Sequence, residues 1–429
     1  MELGSRALPG RRVLSFRDPI HGFIRADPLE AALVNSRPLQ RLRQVHQLGL
    51  TFLVFPGAEH SRFSHALGAM HLAGRVYDAL AARAAASGPA PLPPAAAGGP
   101  AARHRRLVRA AALLHDLGHA PFSHSAEELF EGGIEHEEMT RRLLATPEIE
   151  AAFARFGEGL ASADVARLLA GGETPQERLL AQIVSGELDA DKMDYLLRDS
   201  LFCGVRYGSY DLDRLLDTLL PLADPATGEW GIGLEEGGVH AVEALVLARY
   251  YMFTQVYFNA TGKALELHLN AWLAASGIRW AADPEAFLAE DDISIWSAMR
   301  ASGSLHARAV VSREHFPVAF ETREHLSPAD KERFEDLLPE LERRFGAGNL
   351  LVSNSAKDSH RLAESRVLVR RYDGTLEPMA EASQFIGHLS RIERYRVYTP
   401  PALREAVGEA LRERWSDPAA PRPEPTSRG

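Results

Sequence analysis

The stretch from Ser61 to Ala84 constrains the fold most. Phe63, Leu67, Met70, Tyr77 and Leu80 fall along one stripe at helical spacing. His65, Ala69, Leu72 and Val76 form a second stripe beside it. A helix apolar on two sides must be wrapped by other elements, so this segment predicts a central helix in a mainly helical core. The histidine on the second stripe is then the anomaly. Taken alone, such a residue is more often a satisfied core histidine than a ligand.

Around this helix the pattern stays helical. A turn at Asp18–Gly22 leads into an extended Phe23–Arg25, and helices are expected at Leu29–Val34 and Pro38–Leu48. Further helices are expected at Arg103–Leu117, Ser125–Phe130, Glu135–Ala145, Ser162–Leu169, Pro175–Ser185, Ala190–Ser200 and about Val239–Leu273. Residues 85–102 are nearly all Ala, Pro and Gly and read as a flexible loop. After about residue 301 short β-type runs appear at Ala309–Val311, Val318–Phe320, Leu350–Val352 and Arg366–Val369, with a helix at Ala329–Phe345 among them. The expected organisation is a helical core over 1–300, a smaller α+β region over 301–416 and a Pro-rich tail over 417–429.

Composition narrows the function. The single cysteine, Cys203, rules out an intrachain disulfide and a cysteine-rich zinc module. It sits among Leu201, Phe202 and Val205 and reads as a small buried hydrophobe. The 58 acidic against 48 basic residues, net −10, argue against indiscriminate binding to nucleic acid or anionic membranes. No run approaches the ~18 apolar residues of a membrane helix, and Met1–Arg12 holds no apolar leader core, so a cytoplasmic setting is expected. No P-loop or Gly-x-Ser-x-Gly elbow is present.

The chemistry concentrates in Leu113–His124, where His115, Asp116, His119 and His124 fall close together at the end of an apolar helix. An adjacent His–Asp pair can offer a nitrogen and a carboxylate to one divalent ion, with Gly118 allowing the chain to turn around it. In the segment from Leu188 to Asp199, Asp191, Tyr195 and Asp199 share a helix face opposite Met193 and Leu197, with Arg198 close by. A carboxylate, a phenol and a guanidinium there suit a metal-bound phosphate. Each piece alone has a bland reading, Asp191 as an exposed helix charge among them.

Taken together the pieces resemble the HD-domain phosphohydrolases, whose ligand order His … His-Asp … Asp is matched by His65, His115-Asp116 and Asp191. The resemblance extends to the deoxynucleoside triphosphate triphosphohydrolase branch through Asp18–Gly22, Gln40–Gly49, Val54–Ala58, Arg62–Gly68, His115–His124 and Asp191–Tyr195, over about residues 16–270. It implies that His65, His115, Asp116 and Asp191 hold one divalent metal (Mn, Mg, Fe or Zn), with a further Mg able to accompany the substrate phosphates. Arg62, Lys192 and Arg249 would neutralise the triphosphate. His119, His124 and the His136–Glu137 pair would contact phosphate or protonate the leaving group. Tyr195 and Asp199 would touch sugar and phosphate, Gln47 and Leu48 would line sugar and base, and Tyr257 would lie beneath the deoxyribose.

The implied reaction is hydrolysis of a dNTP to deoxynucleoside and inorganic triphosphate, in a homo-oligomer that could take an allosteric nucleotide. Activation specifically by GTP is not carried over, because Asn35 and Leu14 depart from the animal enzyme's pattern while Gln40 and Arg43 keep it. Phe258 and Asn259 also differ, so base preference is not carried over. Two other readings remain: an HD-type phosphohydrolase or phosphodiesterase acting on another nucleotide, and a non-catalytic nucleotide-sensing scaffold. Nucleic acid is a less favoured partner.

Overall fold

A computed structural model describes residues 14–84, 91–93, 99–122, 129–357 and 367–415. The helix Arg62–Arg83 is its axis, with fifteen of its 22 residues buried, His65 among them. It packs against Pro100–Leu114 and Ala190–Phe202. Two glycines set how closely these elements meet. A Cβ at Gly68 would run into the Asp194 carboxylate and the Arg198 guanidinium, and one at Gly118 into the backbone of His136 and Thr140. The Gly118 amide donates to Thr140 Oγ1 at 2.9 Å, tying the turn after His115 to the helix His136–Leu144.

The mainly helical architecture matches the expectation, as do the extended Phe23–Arg25 and the helices Pro28–Val34, Ser162–Leu169, Pro175–Val184 and Pro328–Phe345; the strand Leu14–Asp18, which pairs with Gly22–Ala26, is an addition. Two small sheets follow. One runs Leu219–Ala223, Trp230–Glu235, Leu368–Arg370, Leu376–Pro378, with the middle pair parallel. The other places Ile392–Tyr398 between Val318–Glu321 and Leu351–Lys357. Phe320, Val397, Phe334, Leu411 and Trp415 give this second sheet its own apolar cluster, whereas Val367, Val369, Met379 and Ile386 join the main core.

Several local readings are corrected. The helix expected over Pro38–Leu48 stops at Arg41, passes through a 3-10 turn at Leu42–Gln44 and turns extended at Val45. The cause is tertiary: His46 bridges Ser61, and its amide donates to Asp292 Oδ2 at 2.8 Å. The helix expected over Val239–Leu273 is two, Val239–Met252 and Ala260–Ser276, separated by a π-helical turn at Phe253–Tyr257. Asn259 caps the second by accepting from the Thr261 and Gly262 amides.

The run Ala309–Val311 is the end of a helix, Leu305–Val311, started by Ser304, because its apolar residues pack against the helix Ala260–Ser276. The helices Pro147–Phe156 and Asp292–Ala301 and the strands Leu219–Ala223 and Trp230–Glu235 were not anticipated. Most of the expected helix 125–130, most of the loop 85–102, His124 and the tail 417–429 lie outside the described residues.

Candidate active site

His65, His115 and Asp116 bring one ligating atom each to within 4.8 Å of one another. Asp191, from the helix Ala190–Phe202, closes the group, its Oδ1 lying 3.0 Å from His65 Nε2 and 3.8 Å from His115 Nε2. Asp116 Oδ1 is 3.1 Å from His115 Nε2, and its Oδ2 is 4.0 Å from His65 Nε2.

The two imidazoles are aimed from behind. His65 Nδ1 pairs with Asp194 Oδ2 at 2.9 Å, and His115 Nδ1 with the Ala112 carbonyl at 2.8 Å. Both Nε2 atoms therefore face the centre, and the buried His65 Nε2 makes no hydrogen bond among the described residues. A nitrogen desolvated, oriented and unbonded beside two carboxylates fits a divalent cation, and mixed imidazole and carboxylate donors suit Mn, Fe, Zn or Mg.

Electrostatics agree. Burial disfavours a charged His65, yet Asp191 and Asp194 outweigh it and carry its pKa up to about 10. Asp116 is buried too, but His115, Arg62 and His119 hold its pKa well below the usual carboxylate range. The centre thus keeps its carboxylates ionised and demands positive charge, a demand that a metal in place of the imidazole proton meets.

These groups open onto a cavity of about 1090 Å³. Gln47, Leu48, Arg62, His115, Asp116, His119, His136, Glu137, Asp191, Lys192, Tyr195, Asp199, Arg249 and Tyr257 all line it. His65 lies fully buried behind it. Asp191, Tyr195 and Asp199 share the cavity-lining face that their spacing gives them. Arg198 does not join them: it is fully buried and pairs with Asp194 and Asp18.

Arg62 Nη1 reaches Asp116 Oδ2 at 2.5 Å. Lys192 Nζ donates to the Gly186 carbonyl and Asp189 Oδ2, both at 2.6 Å, leaving one N–H of the ammonium for a ligand. Arg249 Nε is buried and makes no hydrogen bond among the described residues. His119 stacks on His136 at 4.2 Å, and burial followed by Arg62 pushes its pKa down to about 3.

Sequence reasoning gave no role to three residues that build this site. Asp194 is the buried carboxylate behind His65, and it also accepts from His21 at 2.7 Å. Asp292 accepts from the His46 amide and ring and, at 2.7 Å, from the Phe122 amide, joining the Gln47–Leu48 loop to the far end of the His115–Phe122 turn. His60 holds Asp199. Asp194 falls within the Asp191–Tyr195 stretch, three residues after Asp191, where a helix carries both toward neighbouring partners; Asp292 and His60 carry no such signal.

A metal-competent cluster of His65, His115 and Asp116, with Asp191 beside it, opens onto a cavity on a helical scaffold, as an HD-type metal site requires. The HD-domain profile matches residues 62–199, and the HD-associated region matches 211–416. The chain belongs to the HD-domain phosphohydrolase family, in the group with an HD-associated region.

Among its relatives, the uncharacterized protein YwfO of Bacillus subtilis is 38% identical over 259 residues, 59% of this chain and 54% of that one. A homologue of the deoxynucleoside triphosphate triphosphohydrolase SAMHD1 from Dictyostelium discoideum is 31% identical over 265 residues, 58% of this chain and 46% of its own length. The matched stretches thus span about half the length of these curated relatives. Among solved structures, a hypothetical protein from Aquifex aeolicus superposes with a TM-score of 0.77 at 30% identity, covering 93% of this chain and all of that one. A phosphohydrolase from Bacteroides thetaiotaomicron gives 0.70 at 26%, covering 90% of this chain and all of its own. No described helix is long and apolar enough to cross a membrane.

Proposed function

We propose that this protein is a metal-dependent triphosphohydrolase of deoxynucleoside triphosphates. The observation that carries the reading is one cavity bordered by His115, Asp116 and Asp191, by three cationic side chains and by the hydrogen-bonded Tyr257–Asp199 pair. The likeness to the SAMHD1 enzymes supports the same reaction.

His65, His115, Asp116 and Asp191 would hold the ion, which when bound supplies Lewis-acid polarisation of a phosphate oxygen and lowers the pKa of water. Arg62, Lys192 and Arg249 spread along the cavity and neutralise the triphosphate, Arg by its planar fork and Lys as a point charge. Water attacks the α-phosphorus, the bond to the 5′-oxygen breaks, and inorganic triphosphate leaves with the α-phosphoryl group. The 5′-oxygen needs a proton. His119 is neutral in the free protein, so it must gain its proton as the polyanion arrives; His136, stacked on it and 3.3 Å from Glu137, is the second donor. Such acid help is worth ~10²–10⁴-fold.

The test is chromatography of the products from each dNTP, each rNTP and cyclic dinucleotides, with Mn or Mg. Triphosphate and deoxynucleoside are expected from dNTPs. Release of pyrophosphate or monophosphate from every dNTP, or turnover confined to the other nucleotides, refutes the reading.

A further inference from the structure

At the wall of the cavity lies a chain of hydrogen bonds, His60–Asp199–Tyr257, that the ligand set does not use. His60 Nε2 is 2.7 Å from Asp199 Oδ1, and the Tyr257 hydroxyl donates to Asp199 Oδ2 at 2.7 Å. His60 is 4% exposed and Asp199 1%. The His60 ring stacks on Phe202 at 4.7 Å, and its Nδ1 makes no hydrogen bond among the described residues. Nε2 therefore carries the proton that points at the carboxylate. Asp199 thus has one oxygen fixed by an imidazole and the other by a phenol, while the carboxylate still borders the cavity.

Local backbone supports the same point. Tyr257 ends the π-helical turn, a kind of insertion that recurs at functional sites. A Cβ at Gly57 would collide with the Phe202 carbonyl, so the loop bringing His60 in is seated directly on the end of the helix bearing Asp199.

We infer that His60 is a positioning residue for sugar discrimination: through Asp199 it locks the Tyr257 ring at one height in the cavity floor, so that a 2′-deoxyribose is accepted and a 2′-hydroxyl excluded. A single hydrogen bond from Tyr257 would leave the carboxylate free to rotate about its own χ angles. Two bonds from opposite sides remove that freedom, and the ring stacked on Phe202 anchors the outer one. The inference rests on the deoxynucleotide reading and adds to it the element that enforces sugar choice.

The test measures binding without turnover and turnover in parallel. Dissociation constants for dATP and ATP are determined with Ca²⁺, and kcat and KM with Mn²⁺, for the wild type, His60→Ala, His60→Leu and His60→Gln. Leu keeps apolar bulk against Phe202 but has no donor; the Gln amide reaches about as far as Nε2 and restores one. His60→Ala and His60→Leu are expected to lower the dATP-over-ATP preference by about tenfold, the scale of a lost hydrogen bond to a charged group. The change should lie in KM and Kd, as tighter ATP binding relative to dATP, and not in kcat for dATP, with metal content unchanged and most of the preference returned in His60→Gln.

A wild-type preference that persists in a folded His60→Ala or His60→Leu overturns the role, as does an equal weakening toward both sugars. If His60→Ala fails to fold, His60→Leu decides. A wild type with no deoxy preference refutes the deoxynucleotide reading and the His60 role together, which separates that failure from one confined to His60.

Discussion

Asp194→Asn tests whether the metal centre is held from behind. The Asp194 carboxylate is fully buried and accepts from His65 Nδ1 at 2.9 Å, His21 Nε2 at 2.7 Å, and Arg198 Nε and Nη2 at 2.8 and 2.9 Å. The amide is nearly isosteric, but it loses the charge and turns two N–H groups toward a cluster of donors. Arg198, itself 0% exposed, keeps only Asp18 as an anion. Breaking a buried pair in this way costs about 3–5 kcal/mol. Unfolding entropies of about 2.1 cal/mol/K per residue give roughly 0.9 kcal/mol/K for a chain of this size, so the expected fall in Tm is about 3–6 °C. His65 also loses the bond that fixes its tautomer and ring plane, which should weaken metal affinity by about 10–100-fold. Differential scanning fluorimetry and Mn titration read the two effects separately. A folded variant with wild-type Tm and wild-type Mn affinity would refute the view that Asp194 supports the centre.

Two further perturbations probe other parts of the account. Asp292→Ala removes the acceptor shared by His46 and the Phe122 amide, freeing the Gln47–Leu48 loop; kcat/KM should fall about 10–100-fold, as misplacement by an ångström can cost, with metal stoichiometry intact by elemental analysis. His268 tests burial far from the centre. Its Nε2 accepts from the Phe316 amide at 3.0 Å, its Nδ1 faces His306 Nδ1 at 2.8 Å, and burial followed by His306 lowers its pKa to about 4. The unfolded chain binds this proton first, near pH 6.5, so stability is complete above that value and declines as pH falls toward 4, by up to about 3 kcal/mol. A Tm–pH profile should be flatter over that window in His268→Leu, and a slope equal to the wild type's would count against the assignment.

What the sequence made legible was whatever short-range periodicity encodes. The two apolar stripes around His65 foretold a buried helix, and the i, i+4, i+8 spacing of Asp191, Tyr195 and Asp199 foretold a shared face on the cavity. Legibility failed where a distant group decides local structure. Nothing near Val45 signals that the helix must end, because the acceptor that captures His46 is Asp292, on a helix that was itself missed. The break at Phe253–Tyr257 hides inside a continuous apolar pattern, although the Asn259 cap was a readable hint. Ala309–Val311 looked like a strand because short β-branched runs are ambiguous in isolation. Asp194 and His60 escaped notice for a related reason: each acts through another side chain, and only three-dimensional neighbours reveal such service.

The central claim is that four side chains far apart in the chain converge on one cation. Anomalous diffraction from crystals grown with Mn²⁺ measures this directly. One peak is expected, within bonding reach of His65, His115, Asp116 and Asp191 together. Density bound elsewhere, or no peak among these four, would contradict it.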